Sequence, residues 1–174
     1  MRSRPPLIVE CRIPPRIKAP PARLMARWAE AALGPRGAGH EMAVQVVSPA
    51  RMRVLNRRYR GKDCPTNVLA FPAQATKRVR PKPLGDVVVC AAVLRREARV
   101  QGKREIAHWA HLVVHGTLHL AGYDHQNEFD AARMERREIA VLRRLGFGNP
   151  YTVTEVAAKN KRRTSKHYGR GRRQ

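Results

Sequence analysis

A single α+β, or mixed α/β, domain is the fold class that this sequence of 174 residues predicts. Three observations predict it. The length suits one compact core and is short for two. Segments with strand character come first, and segments with a helical period come later. The longest apolar stretch, Val87 to Leu94, is far below the roughly 18 residues of a bilayer span. Leu7 to Ile13 reads as a first strand, after which Pro-rich punctuation leads into an amphipathic helix over about Ala22 to Leu33, with Leu24, Trp28 and Leu33 on one face and Gly34 as its stop. Glu41 to Val47 carries the alternation of a half-buried strand. Ser48 and Pro49 then read as an N-cap followed by proline at the first helical position, opening a helix to about Tyr59. Asn67 to Phe71 and Gly85 to Cys90 are short apolar runs bounded by Pro and Gly, as strands of a sheet are, and the basic segment between them, around Thr76 to Pro83, reads as a loop. Beyond Ala91 the pattern is helical: about Val93 to Val100, a strongly apolar helix over about Arg104 to Leu120, and an amphipathic one over about Glu128 to Leu145.

Charge narrows the partners. Lys and Arg number 36 against 13 Asp and Glu, a net +23 with a pI near 11.6. The segment after Ala158 holds eight of the basic residues and no acid, yet without it the remainder still has 28 basic and 13 acidic side chains, a net +15. A polyanion is the natural partner of such a chain. Anionic membrane asks for an amphipathic helix suited to lie on a lipid surface, and the sequence offers no convincing one, so nucleic acid is the expected partner and no membrane is. The opening MRSRPPLIVE has no apolar run long enough for a secretory signal, which predicts a cytoplasmic protein. Cys11, Cys64 and Cys90 are far apart and odd in number, with no CxxC pair, so neither a disulfide framework nor a cysteine metal site is expected.

The chemistry lies in His115-Gly-Thr-Leu-His119-Leu-Ala-Gly122-Tyr-Asp-His125. Histidines four apart on a helix project from one face a turn apart, as two ligands of one zinc ion must. His111 continues the row, but eight residues of helix put it about 12 Å from His119, too far to share an ion whose bonds to nitrogen are about 2.1 Å. Gly122, just past the helix, can take the left-handed conformation that turns the chain back and brings His125 towards the other two. Three imidazoles with an open fourth position make a catalytic zinc site, one ion per chain, whereas structural zinc is closed by four ligands and rich in thiolate. Imidazole also accepts nickel and other borderline metals. His108 and His111 are expected to pack or to support the ligands rather than to bind metal. The same histidine spacing occurs in HExxHxxGxxH metalloproteases, but the general-base Glu of those enzymes is replaced here by Gly116.

Taken together, HGTLHLAGYDH, the upstream LNRRYRGKDCPTNVLAFP and the LGDVVV strand strongly resemble the YbeY family of bacterial endoribonucleases, in order from about Gln45 to Tyr151. The resemblance implies residues 1–155 as a YbeY-like domain with a small mixed sheet flanked by helices and a zinc site at the end of a central helix. It implies cleavage of single-stranded RNA in ribosomal RNA maturation, at the 3′ end of the small-subunit RNA, and a part in ribosome quality control, with the small ribosomal subunit as partner. It also matches His115, His119 and His125 to the family's ligands, with His115 counted among the catalytic residues, and Arg60 in YRGKD to an arginine of catalytic importance. A guanidinium there can pair with two non-bridging oxygens of a phosphodiester under attack. Lys62 and Asn67 are candidates for substrate contact, and Asp86 and Asp124 for acceptors that orient the ligand imidazoles. Asn67 stands where many members have Asp, and Ala70 where the family usually has Ser. Residues 156–174 lie beyond the resemblance and are expected to be a disordered basic tail that binds RNA.

The expected mechanism is hydrolysis of RNA in which zinc activates water or polarises a phosphate oxygen while Arg60 steadies the developing charge. Two other readings stay open from sequence: a ribosome-assembly or RNA-binding factor in which zinc only stabilises the fold, and, without its Glu, a metalloprotease. Oligomeric state has no signature in the sequence.

Overall fold

The computed structural model describes residues 5–74, 80–124 and 127–152. The third expected ligand, His125, the loop residues from Thr76 to Val79 and the basic tail lie outside the described residues. Within them the chain runs β1 (Ile8–Arg12), α1 (Ala22–Leu33), a 3₁₀ turn (Gly34–Gly37), β2 (His40–Val47), α2 (Pro49–Arg60), β3 (Val68–Pro72), β4 (Lys82–Cys90), α3 (Ala91–Val100), α4 (Glu105–Leu120) and α5 (Glu128–Arg144). The predicted mixed α/β class is the observed one. The four strands lie in the order β1-β2-β4-β3, with β1, β2 and β4 parallel and β3 antiparallel on the β4 edge.

Alternation along β4 divides the core. Val87 and Val89 join Val44 and Val46 of β2 and the apolar faces of α1, α4 and α5, including Met25, Trp28, Trp109 and Val113. Val88 and Cys90 face the other way, with Leu69 of β3 and Met52 of α2. Ser48 caps α2 as its sequence predicts, its hydroxyl accepting from Arg51 N at 3.3 Å. One expected boundary moves. Lys82 and Pro83, read from sequence as loop, belong to β4, because pairing with β2 begins at His40↔Lys82 and the irregularity between Glu41 and Met42 sits beside the proline, which has no N–H to give the ladder.

Helix α4 is enclosed on most sides by core, and Gly116 sets how closely it lies on the sheet. A Cβ built at Gly116 would stand 2.6 Å from Val87 Cγ1 and 3.1 Å from Val87 Cγ2. The position that carries a general-base Glu in the metalloproteases is therefore filled here by the sheet. Gly116→Ala is expected to destabilise the fold by about 1–3 kcal/mol through overpacking, read as a lower midpoint in denaturant unfolding. An unchanged midpoint would mean that α4 does not rest on β4 in this way.

Helix α4 ends as the spacing requires. Gly122 has φ +85°, its N–H donates to His119 O at 3.0 Å, and Tyr123 N–H donates to Leu118 O at 3.0 Å. This pair of bonds is a Schellman motif, which satisfies the last carbonyls of the helix and turns the chain back over its own C-terminal end.

Candidate metal centre

His115 and His119 stand one turn apart on α4, and their Nε2 atoms lie 3.2 Å from each other with ring centroids 4.7 Å apart and ring planes at 77°. What orients His115 comes from α5. Glu138 is fully buried, with Oε1 2.7 Å from His115 Nδ1 and Oε2 3.1 Å from His111 Nε2, and it also accepts from the Tyr151 hydroxyl. Burial pushes the Glu138 carboxyl up, but the donors His111, His115 and Tyr151 outweigh it and hold the group at about 2. Glu138 is therefore ionised at neutral pH and can only accept, so each imidazole gives it an N–H. For a neutral His115 this places the proton on Nδ1 and turns the Nε2 lone pair towards His119. Burial lowers the pKa of His111 more than the Glu138 contact raises it, and burial followed by the Glu138 hydrogen bond raises that of Tyr151.

The remaining candidate residues separate into those that share the site and those that do not. One cavity is lined by Arg60, Thr66, Asn67, Val68, Ala70, His115, Gly116 and His119. Arg60 reaches it from the C-terminal end of α2, where Gly61 at φ +69° ends the helix beside the β3 edge. Lys62 follows in the exposed loop. Asn67 is half-buried in the cavity wall, its Nδ2 donating to Glu97 Oε2 at 2.9 Å and its Oδ1 accepting from Val68 N at 2.7 Å. An amide suits that place, because Asp at 67 would set a second carboxylate against Glu97. Ala70 brings no hydroxyl to the cavity, so the polar part of that wall is Thr66 and Asn67.

Asp86 is a correction. It alternates with Val87 and so lies on the sheet face away from α4, lining a depression with Glu10, Arg12 and Glu41. It cannot orient the α4 imidazoles; Glu138 does so for His115. Asp124 sits half-buried in the turn after Gly122, next to the undescribed His125. His108 is buried and pairs through Nε2 with Glu97 Oε2 at 3.0 Å, consistent with a supporting role.

Two groupings could hold a metal ion. His111, His115 and Glu138 offer ligand atoms within 4.8 Å of one another. The facing Nε2 atoms of His115 and His119 fit a shared ion more closely: bonds of about 2.0–2.1 Å in a tetrahedron need nitrogens about 3.3–3.4 Å apart, against the 3.2 Å observed. In the first grouping the same atoms already stand at hydrogen-bonding distances. The arrangement about His115 is that of a ligand imidazole held by a carboxylate at its far nitrogen.

Fold and site together define a mixed α/β protein with a helix-borne histidine centre able to hold a metal ion. The family model described as endoribonuclease YbeY matches residues 19–146, and the chain belongs to that family. It is 51% identical over 142 residues to the endoribonuclease YbeY of Alkalilimnicola ehrlichii, covering 78% of this chain and 84% of that one. It is 54% identical over 124 residues to that of Methylococcus capsulatus, covering 71% and 81%. Against that of Halorhodospira halophila it is 47% identical over 136 residues, covering 76% and 88%. The solution structure of TM1509 from Thermotoga maritima is similar with a TM-score of 0.56, covering 95% of this chain and 100% of that one at 23% identity, a likeness of fold alone.

Proposed function

We propose that this chain is a metal-dependent endoribonuclease that cleaves single-stranded RNA in the cytoplasm, acting in maturation of ribosomal RNA at the 3′ end of the small-subunit RNA and in ribosome quality control. The observation that carries the reading is the pair of Nε2 atoms 3.2 Å apart in a cavity shared with Arg60. His115, His119 and His125 are its metal ligands, and zinc is the metal that a neutral imidazole set suits best. A bound zinc ion would supply a Lewis acid, able to bring the pKa of water towards about 7 and to polarise a phosphate oxygen.

The chain's own residues do the rest. Glu138 fixes the His115 ring and its tautomer, so that no reorganisation of the imidazole is needed during the reaction. Arg60 pairs with the non-bridging oxygens of the scissile phosphate, an interaction that strengthens as charge develops. Thr66 and Asn67 face the same phosphate or its ribose, and Lys62 adds charge on the approach. The basic tail extends the hold on RNA.

Arg60→Ala is expected to lower kcat on a single-stranded RNA by about 10²–10³-fold with metal content unchanged. Steady-state cleavage beside elemental analysis of the same preparation checks this, and an unaltered kcat would remove Arg60 from the reaction.

A further inference from the structure

Tyr123 lies four residues after His119 and two before His125, and basic side chains from separate elements converge on it. Arg36, from the 3₁₀ turn after α1, donates through Nη2 to the Tyr123 hydroxyl at 3.1 Å, with its guanidinium carbon 5.7 Å from the ring centroid. Arg133 of α5 lies over the same ring at 5.0 Å. Arg137 follows a turn further along α5. It is tied to Ala32 O at 3.1 Å and keeps a buried Nε with no hydrogen-bond partner.

Three guanidinia elsewhere among the described residues are paired with carboxylates: Arg12 with Glu10, Arg53 with Asp63 and Arg95 with Glu105. Among the described residues no carboxylate hydrogen-bonds or ion-pairs with Arg36, Arg133 or Arg137. Positive charges gathered around one ring from separate elements without such a counter-charge repel each other, and the ligand that relieves this is an anion with several oxygens spaced to meet them. The phosphates spaced along a nucleic-acid strand are such an anion. Position favours the same partner. Helix α4 packs β3 on one side, where the Arg60 cavity lies, and α1 on the other, where Arg36 lies.

We propose that Arg36, Tyr123 and Arg133 form a second phosphate-binding station on the single-stranded RNA track, across α4 from Arg60, gripping nucleotides beyond the scissile bond. This rests on the reading of the chain as an RNA-cleaving enzyme. Two grips on opposite flanks of the histidine centre hold a flexible strand across it, which a rigid duplex could not follow as closely. The cluster thus contributes to selection of single strands.

The test is binding of the full-length, metal-loaded chain to a labelled, nuclease-resistant 2′-O-methyl RNA strand across a salt series. The variants are Arg36→Gln with Arg133→Gln, Arg133→Gln alone, and Arg12→Gln on the far sheet face as a single-charge control. Arg36 and Arg133 are exposed, so neither substitution disturbs the core, and a thermal melt of each variant verifies it. The double variant is expected to bind more weakly, with a slope of log K against log salt shallower by about 1.4, and the single variant by about 0.7, at roughly 0.7 for each phosphate no longer neutralised. The control should match the native slope. An unchanged slope in the double variant, or flattening in the control equal to that of Arg133→Gln, overturns the proposal. Cleavage of unmodified RNA by the native chain is scored separately: binding with the expected slopes but no cleavage would sink the endoribonuclease reading and leave the phosphate station standing.

Discussion

Replacing His115 and His119 together by alanine is expected to abolish metal binding and to lower RNA cleavage by at least about 10³-fold, the scale on which loss of a metal or oxyanion stabiliser is felt. The expectation follows from the direction of the ring nitrogens. With Nδ1 of His115 given to Glu138, the only ring nitrogen left to meet another ligand is Nε2, and it is directed at Nε2 of His119 at 3.2 Å. Removing both rings takes away two ligands of the proposed three at once, and His125 alone holds no ion firmly. The fold should survive. Glu138 keeps His111 and Tyr151 as donors, so the stability lost is on the order of 1–3 kcal/mol, the cost of one missing partner to a buried acceptor. Elemental analysis and cleavage of a purified single-stranded RNA measure both consequences. Full activity in the double variant, with contaminating nuclease excluded, would remove the histidines from the chemistry.

Substitution of Glu138 should have the next largest effect, although this residue touches no substrate in the proposed mechanism. Glu138→Ala leaves two part-buried imidazole N–H groups and a phenol hydroxyl without their acceptor, and His115 loses the partner that fixes its tautomer. Metal affinity is expected to weaken by about 10–100-fold, as for other carboxylates behind ligand imidazoles. Glu138→Gln keeps the volume but offers an amide with one acceptor atom for three donors, so it should weaken metal binding as well while disturbing packing less. A competition titration against a chromophoric chelator reads the affinity directly. Native metal affinity in both variants would show that the carboxylate does not prepare the site.

Much of the fold was legible because the patterns that carry it are local. The alternation of MAVQVV, the Ser48-Pro49 start of α2 and the Gly122 stop of α4 each report a backbone requirement, and each element is found where its pattern lies, within a residue or two. The start of β4 was not legible, since Lys82 and Pro83 enter the sheet through pairing with a distant strand and a local irregularity in β2.

In the site, the spacing of His115 and His119 was enough to predict two imidazoles meeting, because four residues of helix set that geometry alone. Glu138 escaped because its partners lie 23 and 27 residues earlier in the chain. A signal was nonetheless present: it falls with Met134, Val141 and Leu142 on the buried stripe of α5, where a lone carboxylate needs buried donors. Asp86 was a candidate acceptor by residue type alone, and the two-residue period of its strand sends it to the face away from α4.

Anomalous scattering from crystals of the full-length chain, recorded at the zinc edge, tests the central claim most directly. A single peak is expected about 2.0–2.1 Å from Nε2 of both His115 and His119, with His125 as third ligand and Glu138 still hydrogen-bonded to His115. A peak held instead by His111 and Glu138, or none in fully metallated protein, would contradict it.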